Sequence, residues 1–174
     1  MYFYISDLHF FHERIMQLSN RPFHNVEEMH ETIINNWNRV VSPKDKVFIV
    51  GDLGFYHQKE IAAIIRNLHG RKVLILGNHD PKNLRDKELH ACFEEVVPYK
   101  EVSDNGRRIV LFHYPIEEWN GYFRDYYHIH GHVHNHVDSL KVFPKRFNVS
   151  VEMVNYTPRT LDELIAHANS ELPW

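Results

Sequence analysis

Val73-Leu74-Ile75-Leu76-Gly77-Asn78-His79-Asp80 joins a short, wholly apolar run to four turn-type residues that carry an amide, an imidazole and a carboxylate. The apolar part reads as a buried strand, and the polar part as the loop at its carboxyl end. The same pattern recurs upstream. Tyr2 to Ile5 is an apolar, aromatic strand leading to Asp7-Leu8-His9, and Lys46 to Val50 is a β-branched strand ending at Gly51-Asp52. Helices separate these strands. Val26, Met29, Ile33, Trp37 and Val40 step by three or four along a helix predicted over Asn25 to Val41. Asn25 caps it, Glu28 lies three residues on as in a capping box, and Pro43 stops it. Ile61, Ile64, Ile65 and Leu68 mark a second helix, closed by Gly70 as its C′ residue. Strand, helix, strand, helix, strand is the order of a parallel α/β half.

The second half changes character. Val96 to Val102, the Asp104-Asn105-Gly106 turn and Arg108 to Phe112 read as a hairpin, followed at once by His113-Tyr114-Pro115. Tyr127 to Ile129 reads as a strand before Gly131-His132-Val133-His134, and Phe147 to Val151 as another. Thr160-Leu161-Asp162-Glu163 is a capping box that opens the last helix. With no repeat, low-complexity segment or linker, residues 1–174 are expected to form one domain. That length suffices for one real core and is short for two.

Composition narrows the function. A hydrophobic share of 43% and a charged share of 25% belong to a soluble globular chain. The formal charge of −3 argues against a general nucleic-acid or anionic-membrane footprint. The single Cys92 excludes an intramolecular disulfide and suits a reducing compartment. Met1 to Ile5 is a short apolar run stopped by Asp7, with no basic segment before it, so no signal peptide is expected. No apolar stretch approaches membrane-spanning length. A cytoplasmic protein is the expectation. The outlier is histidine, with 15 residues.

In α/β sheets ligands gather at the carboxyl ends of strands, where this reading puts Asp7, Asp52, Asn78 and His113. A carboxylate has two oxygens and can bridge two cations, and imidazole and amide oxygen fill the remaining positions. Such a donor mix suits Mn, Fe, Co, Ni or Zn better than Ca or Mg alone. Two such ions clamp a phosphoryl group and acidify a shared water. The departing oxygen still needs a proton, and His79 followed by Asp80 fits that need.

The five runs, in order and spacing, resemble the signature of the calcineurin-like metallophosphoesterases over most of the chain, from Asp7 to His134. Asp7-Leu8-His9-Phe10-Phe11-His12, Arg21-Pro22-Phe23 and Trp37-Asn38 are similar to a small bacterial and phage subgroup of predicted phosphoesterases. The resemblance implies one metal held by Asp7, His9, Asp52 and His134, and a second by Asp52, Asn78, His113 and His132. Asp52 would be the bridge, His79 the general acid and Asp80 its orienting partner. It also implies a four-layer α/β/β/α sandwich, two mixed β-sheets face to face with helices outside. The cofactors would be two divalent transition-metal ions, manganese foremost, with Fe, Zn, Ni or Co as alternatives. The substrate would be a phosphodiester or nucleotide-type phosphate ester. A phosphomonoesterase using the same centre is the runner-up, and an idle scaffold or a metal-sequestering protein would not need His79 beside a full ligand set.

Each motif has an ordinary reading too. Asp7 or Asp52 alone fits a turn or cap, and His128 to His136 alone fits a nonspecific metal-binding tract. Their joint occurrence is what carries the reading. His12 is placed to reach phosphate or metal, and Arg21 either clamps a phosphate oxygen or is a solvated loop arginine. His24, His30, His57, His69, His90 and His167 read as surface residues, and His128 and His130 as strand-lining ones.

Overall fold

In a computed structural model the described residues are 1–80, 84–136 and 141–170. They form two four-stranded sheets flanked by helices. The first sheet holds β1 (Tyr2–Ile5), β2 (Lys46–Ile49), β3 (Arg71–Ile75) and β4 (Glu95–Val97) in that order, all parallel. The second holds β5 (Tyr99–Asp104), β6 (Arg107–Phe112), β7 (Tyr127–His130) and β8 (Arg146–Asn148). There β5 and β6 are antiparallel, and β6–β7 and β7–β8 are parallel. The expected pair of sheets between helices is present, with only the second sheet mixed.

The segment expected as one strand, Val96 to Val102, is two strands in different sheets. Pro98 separates β4 from β5. Proline has no N–H for a ladder, so the chain leaves one sheet there and enters the other. The last predicted strand is shorter than expected: β8 ends at Asn148, and Val151–Val154 is a 3₁₀ turn. A bridge between Ser6 and Ser150 ties this segment to the end of β1.

The helices are α1 (Ile15–Leu18), α2 (Val26–Val40), α3 (Gln58–Asn67), α4 (Lys87–His90) and α5 (Leu161–Ala168). Short α1 and α4 have no periodic signature in the sequence. The expected caps of α2 and α5 form: the Asn25 side chain accepts the Glu28 N–H, and Thr160 and Glu163 make a complete capping box. The end of α3 differs from expectation. Leu68 is its C-cap, and Gly70, at φ +81°, lies beyond C′. Side chains of α2 finish this helix instead. Trp37 Nε1–H donates to the His69 carbonyl, Asn38 Nδ2–H to the Asn67 carbonyl, and the His69 N–H donates back to Asn38. The Trp37-Asn38 pair is thus a tertiary cap, which also satisfies the indole of a wholly buried tryptophan.

His30 is buried and accepts the Phe11 N–H at 2.9 Å, which corrects its assignment to the surface. His128 is buried too, its Nδ1–H donating to the Val110 carbonyl and its Nε2 accepting the Ile116 N–H. Burial pushes its pKa down to about 4 from an ordinary 6.5. The unfolded chain therefore takes up a proton that the folded chain refuses as pH falls below 6.5. The stability lost by pH 4 through this group is about 3 kcal/mol. Urea midpoints measured at pH 7 and pH 4.5 should show that loss, and in His128→Gln the difference between the two should shrink.

Among the described residues no helix is long and apolar enough to cross a membrane.

Candidate metal centre

The first two motifs are laid side by side by backbone bonds. After β1 the chain continues along the loop that follows β2: Asp7 N–H donates to Gly51, His9 N–H to Asp52, and Phe10 N–H to Leu53. This puts Asp7 and His9 beside Asp52. The second sheet arrives through Ser6 N–H to the Val149 carbonyl, and within it Gly131 N–H donates to the His113 carbonyl, which keeps those two motifs adjacent. Close approach needs small residues. A Cβ on Gly77 would sit 2.2 Å from Asp52 Oδ1, and one on Gly131 would sit 2.2 Å from Asp7 Oδ2. Each glycine of one motif therefore clears space for the carboxylate of another.

The backbone itself is bent to aim these side chains. Asp7, His9, Asp52, His132 and His134 all have left-handed φ, between 49° and 72°. Each such non-glycine residue costs on the order of 1 kcal/mol. Five of them among seven expected ligands mark a place where geometry is kept against local preference.

Asp52 is the hub. Its Oδ2 lies 3.6 Å from His9 Nε2, 3.6 Å from His113 Nε2 and 3.9 Å from His79 Nε2, while Oδ1 accepts the His79 N–H at 3.0 Å. On the first side, Asp7 Oδ1 is 4.0 Å from His9 Nε2 and 3.7 Å from His134 Nε2. On the second, Asn78 Oδ1 is 3.1 Å from His113 Nε2 and 3.0 Å from His132 Nδ1. Donors around one ion, each about 2.0–2.2 Å from it, stand about 3–4 Å apart. The spacing here matches that. Asp7, His9 and His134 form one group able to hold a cation, and Asp7, Asp52 and His113 another. Both ring nitrogens of His9 are buried with no hydrogen-bond partner among the described residues, and a bound ion would satisfy one of them. The mixed nitrogen and oxygen donors fit a transition metal.

Charge in this cluster follows from burial and pairing. Burial pushes the Asp52 carboxyl up, but hydrogen-bonded and charged His113, helped by His9, brings it down to about 2. Burial alone would lower His113, yet Asp52 and Asp7 raise it to about 9. Burial holds His9 well below its ordinary value. The candidate ligands are themselves held. His113 Nδ1–H donates to the Val50 carbonyl at 2.8 Å, which turns Nε2 toward Asp52. Asp7 Oδ2 accepts from Ser6 Oγ, Ser150 Oγ and the His132 N–H.

His79 stands apart from the other imidazoles. Its side chain is 39% exposed, against 2% for His9 and 0% for His113. Asp80, expected as the orienting partner of His79, is tied to the backbone. Its carboxylate accepts three backbone N–H groups, from Gly77, Asp52 and Leu53, at 2.8–2.9 Å. It fastens the loop carrying Asn78 and His79 to the loop carrying Asp52. Burial pushes its pKa up to about 6 despite those amides.

His12 and Arg21 part company. His12 lines the cleft with His9, His79, His134 and Asp52, and its ring stacks on Phe55 at 4.8 Å. Arg21 is only 4% exposed and its guanidinium is fully engaged. It donates to the carbonyls of Asp7 and Leu8, to Met29 Sδ and to Glu152. It is neither a phosphate clamp nor a solvated arginine, because no N–H direction faces the cleft. Its partner Glu152 is invisible in the sequence. It stands in Val151-Glu152-Met153-Val154, with no histidine or second acid nearby to mark it. Ser6 and Ser150 are equally silent.

The calcineurin-like phosphoesterase model matches residues 3–174. The chain belongs to that family. It is 41% identical over 166 residues to an uncharacterised protein of Methanocaldococcus jannaschii, covering 92% of this chain and 87% of that one. It is 39% identical over 90 residues to the gene 66 protein of Mycobacterium phage L5, half of this chain and 43% of that one. A crystal structure of an Aquifex aeolicus protein of unknown function superposes with a TM-score of 0.71 at 30% identity, over 96% of this chain and 98% of that one. An archaeal phosphodiesterase shares the fold at a TM-score of 0.55 and 16% identity, over 94% of each chain.

Proposed function

We infer that the protein is a two-metal phosphohydrolase acting on a phosphodiester or nucleotide-type ester. The observation that carries this reading is the Asp52 carboxylate among three imidazole nitrogens, with the orphaned His9 on one side and the exposed His79 on the other. Asp7, His9, Asp52 and His134 would hold one ion, and Asp52, Asn78, His113 and His132 the other. When bound, such ions supply Lewis acidity and an acidified water. Manganese is the ion we would add first.

The residues around the ions do the rest. His79 faces solvent at the cleft and delivers a proton to the departing ester oxygen. Asp80 keeps the His79 loop in register with Asp52. His12, held against Phe55, lines the approach to the phosphate. The cleft, of about 250 Å³, runs past the ligands to Ile15, Leu18 and His136, which leaves room for a second ester arm and favours a diester. The fold shared with an archaeal phosphodiesterase supports the same choice. We place residues 1–174 in a single catalytic domain and its work in a reducing compartment, on the strength of the lone Cys92.

The test is hydrolysis of aryl phosphodiesters by Mn²⁺-loaded protein, with chelation as the control. A fully metallated protein that turns over no mono- or diester would sink the reading. His79→Ala should keep both ions. It should slow esters of poor leaving groups by about 10²–10⁴-fold and barely affect a nitrophenyl ester, because only the former need the proton. Equal slowing of both would remove His79 from the acid role.

A further inference from the structure

We propose that Glu152, braced by Arg21, is the positioning residue that fixes His134 as a metal ligand and sets the affinity of the site His134 shares with Asp7 and His9. The proposal rests on the reading of His134 as a ligand given above. Glu152 lies in the 3₁₀ turn after β8, its side chain 5% exposed. Its Oε1 lies 3.0 Å from His134 Nδ1 and 2.8 Å from both Nε and Nη2 of Arg21. An Nδ1–H donated to a carboxylate selects one tautomer, stops the ring from turning and makes Nε2 the better electron donor. That Nε2 is the atom facing Asp7, at 3.7 Å.

Two features separate this from a simple buried ion pair. An arginine and a carboxylate frequently pair through both oxygens in a two-armed fork. Here Oε1 takes all three contacts, and Oε2 is buried with no hydrogen-bond partner among the described residues. The orientation serves His134 at the expense of the pair. The same guanidinium also donates to the carbonyls of Asp7 and Leu8, at 2.7 and 3.1 Å. One cation therefore joins the loop bearing Asp7 and His9 to the carboxylate that aims His134. His113, on the other side of the centre, is aimed by a backbone carbonyl instead. Glu152 should therefore act on one metal site of the two.

The experiment is a calorimetric Mn²⁺ titration of the metal-stripped full chain, with thermal melts alongside. Glu152→Gln keeps the size and an acceptor oxygen but removes the charge. It is expected to weaken one site by about 10–100-fold and leave the other at wild-type affinity. In a His134→Ala background the same change should cause no further loss, because Glu152 acts through His134. If Glu152→Gln does not fold, Glu152→Asp keeps the charge and draws it back from Nδ1, and a selective loss at one site is again expected. Wild-type affinity at both sites, with or without a lowered melting temperature, overturns the proposal. So does an undiminished further loss in the His134→Ala background. If His134→Ala itself leaves both ions bound, the ligand reading fails. If it weakens one site while the Glu152 variants do not, only the role of Glu152 fails.

Discussion

The Asp52→Ala variant is expected to lose metal-dependent ester hydrolysis by about 10³-fold or more, equivalent to about 4 kcal/mol of transition-state stabilisation. Asp52 Oδ2 faces His9 on one side and His113 on the other. Removing it takes away the carboxylate that lies among His9, His113 and His79 and leaves Asp7 as the carboxylate beside His9 and His113. Neutral imidazoles alone offset little of the charge of two cations, so metal content should fall from two ions toward one or none. The fold should survive, because the strand before Asp52 is held by its ladders to β1 and β3, which do not use the side chain. Asp52→Asn is the sharper comparison. It can still accept the His79 N–H, yet it lacks the charge that bridges. Metal analysis with kinetics on one ester decides the matter. Two ions bound and activity within tenfold of wild type would take the bridging role from Asp52.

Arg21→Ala is expected to lower the stability of the fold by about 3–5 kcal/mol. Five contacts vanish together, to Glu152, Met29 and the carbonyls of Asp7 and Leu8. The Glu152 carboxylate stays buried with His134 as its remaining partner, which is the expensive outcome for a charged pair. The melting temperature should drop on the order of 10 °C for a chain of this size. Arg21→Lys should fall between, since one ammonium cannot reach a carboxylate and two carbonyls in different directions. A double Arg21→Met, Glu152→Met variant should recover part of the stability, because no unpaired charge remains buried. A thermal melt of Arg21→Ala within 2 °C of wild type would show that the guanidinium is not the brace its contacts describe.

How much of the fold and the centre is legible in the sequence depends on where the information lies. Helix α2 announces itself through a three-four spacing and an Asn25 cap, both local properties. The strands before Asp7, Asp52 and Asn78 announce themselves as apolar runs. The Pro98 break between sheets does not, since Val96 to Val102 has the same propensity whether it crosses or stays. Gly70 looks like a cap, but the groups that finish α3 come from Trp37 and Asn38, about thirty residues away. His30 looks like a surface histidine because nothing local says that the Phe11 N–H needs an acceptor.

By itself the sequence determined which chemical groups stand at the strand ends, because side-chain type and a run of apolar neighbours are both written locally. It thereby determined the family and the candidate ligands of the centre. The tertiary structure alone decided which groups line the cleft and which are sealed behind it as supports. His12 and Arg21 are equal candidates in the sequence, yet one lines the cleft and the other is sealed behind it. Asp80 fastens two loops, and Glu152 reaches His134 from a turn eighteen residues on. The physical reason is that a hydrogen bond depends on direction and distance in space, and those are set by how two sheets meet, which no local pattern records.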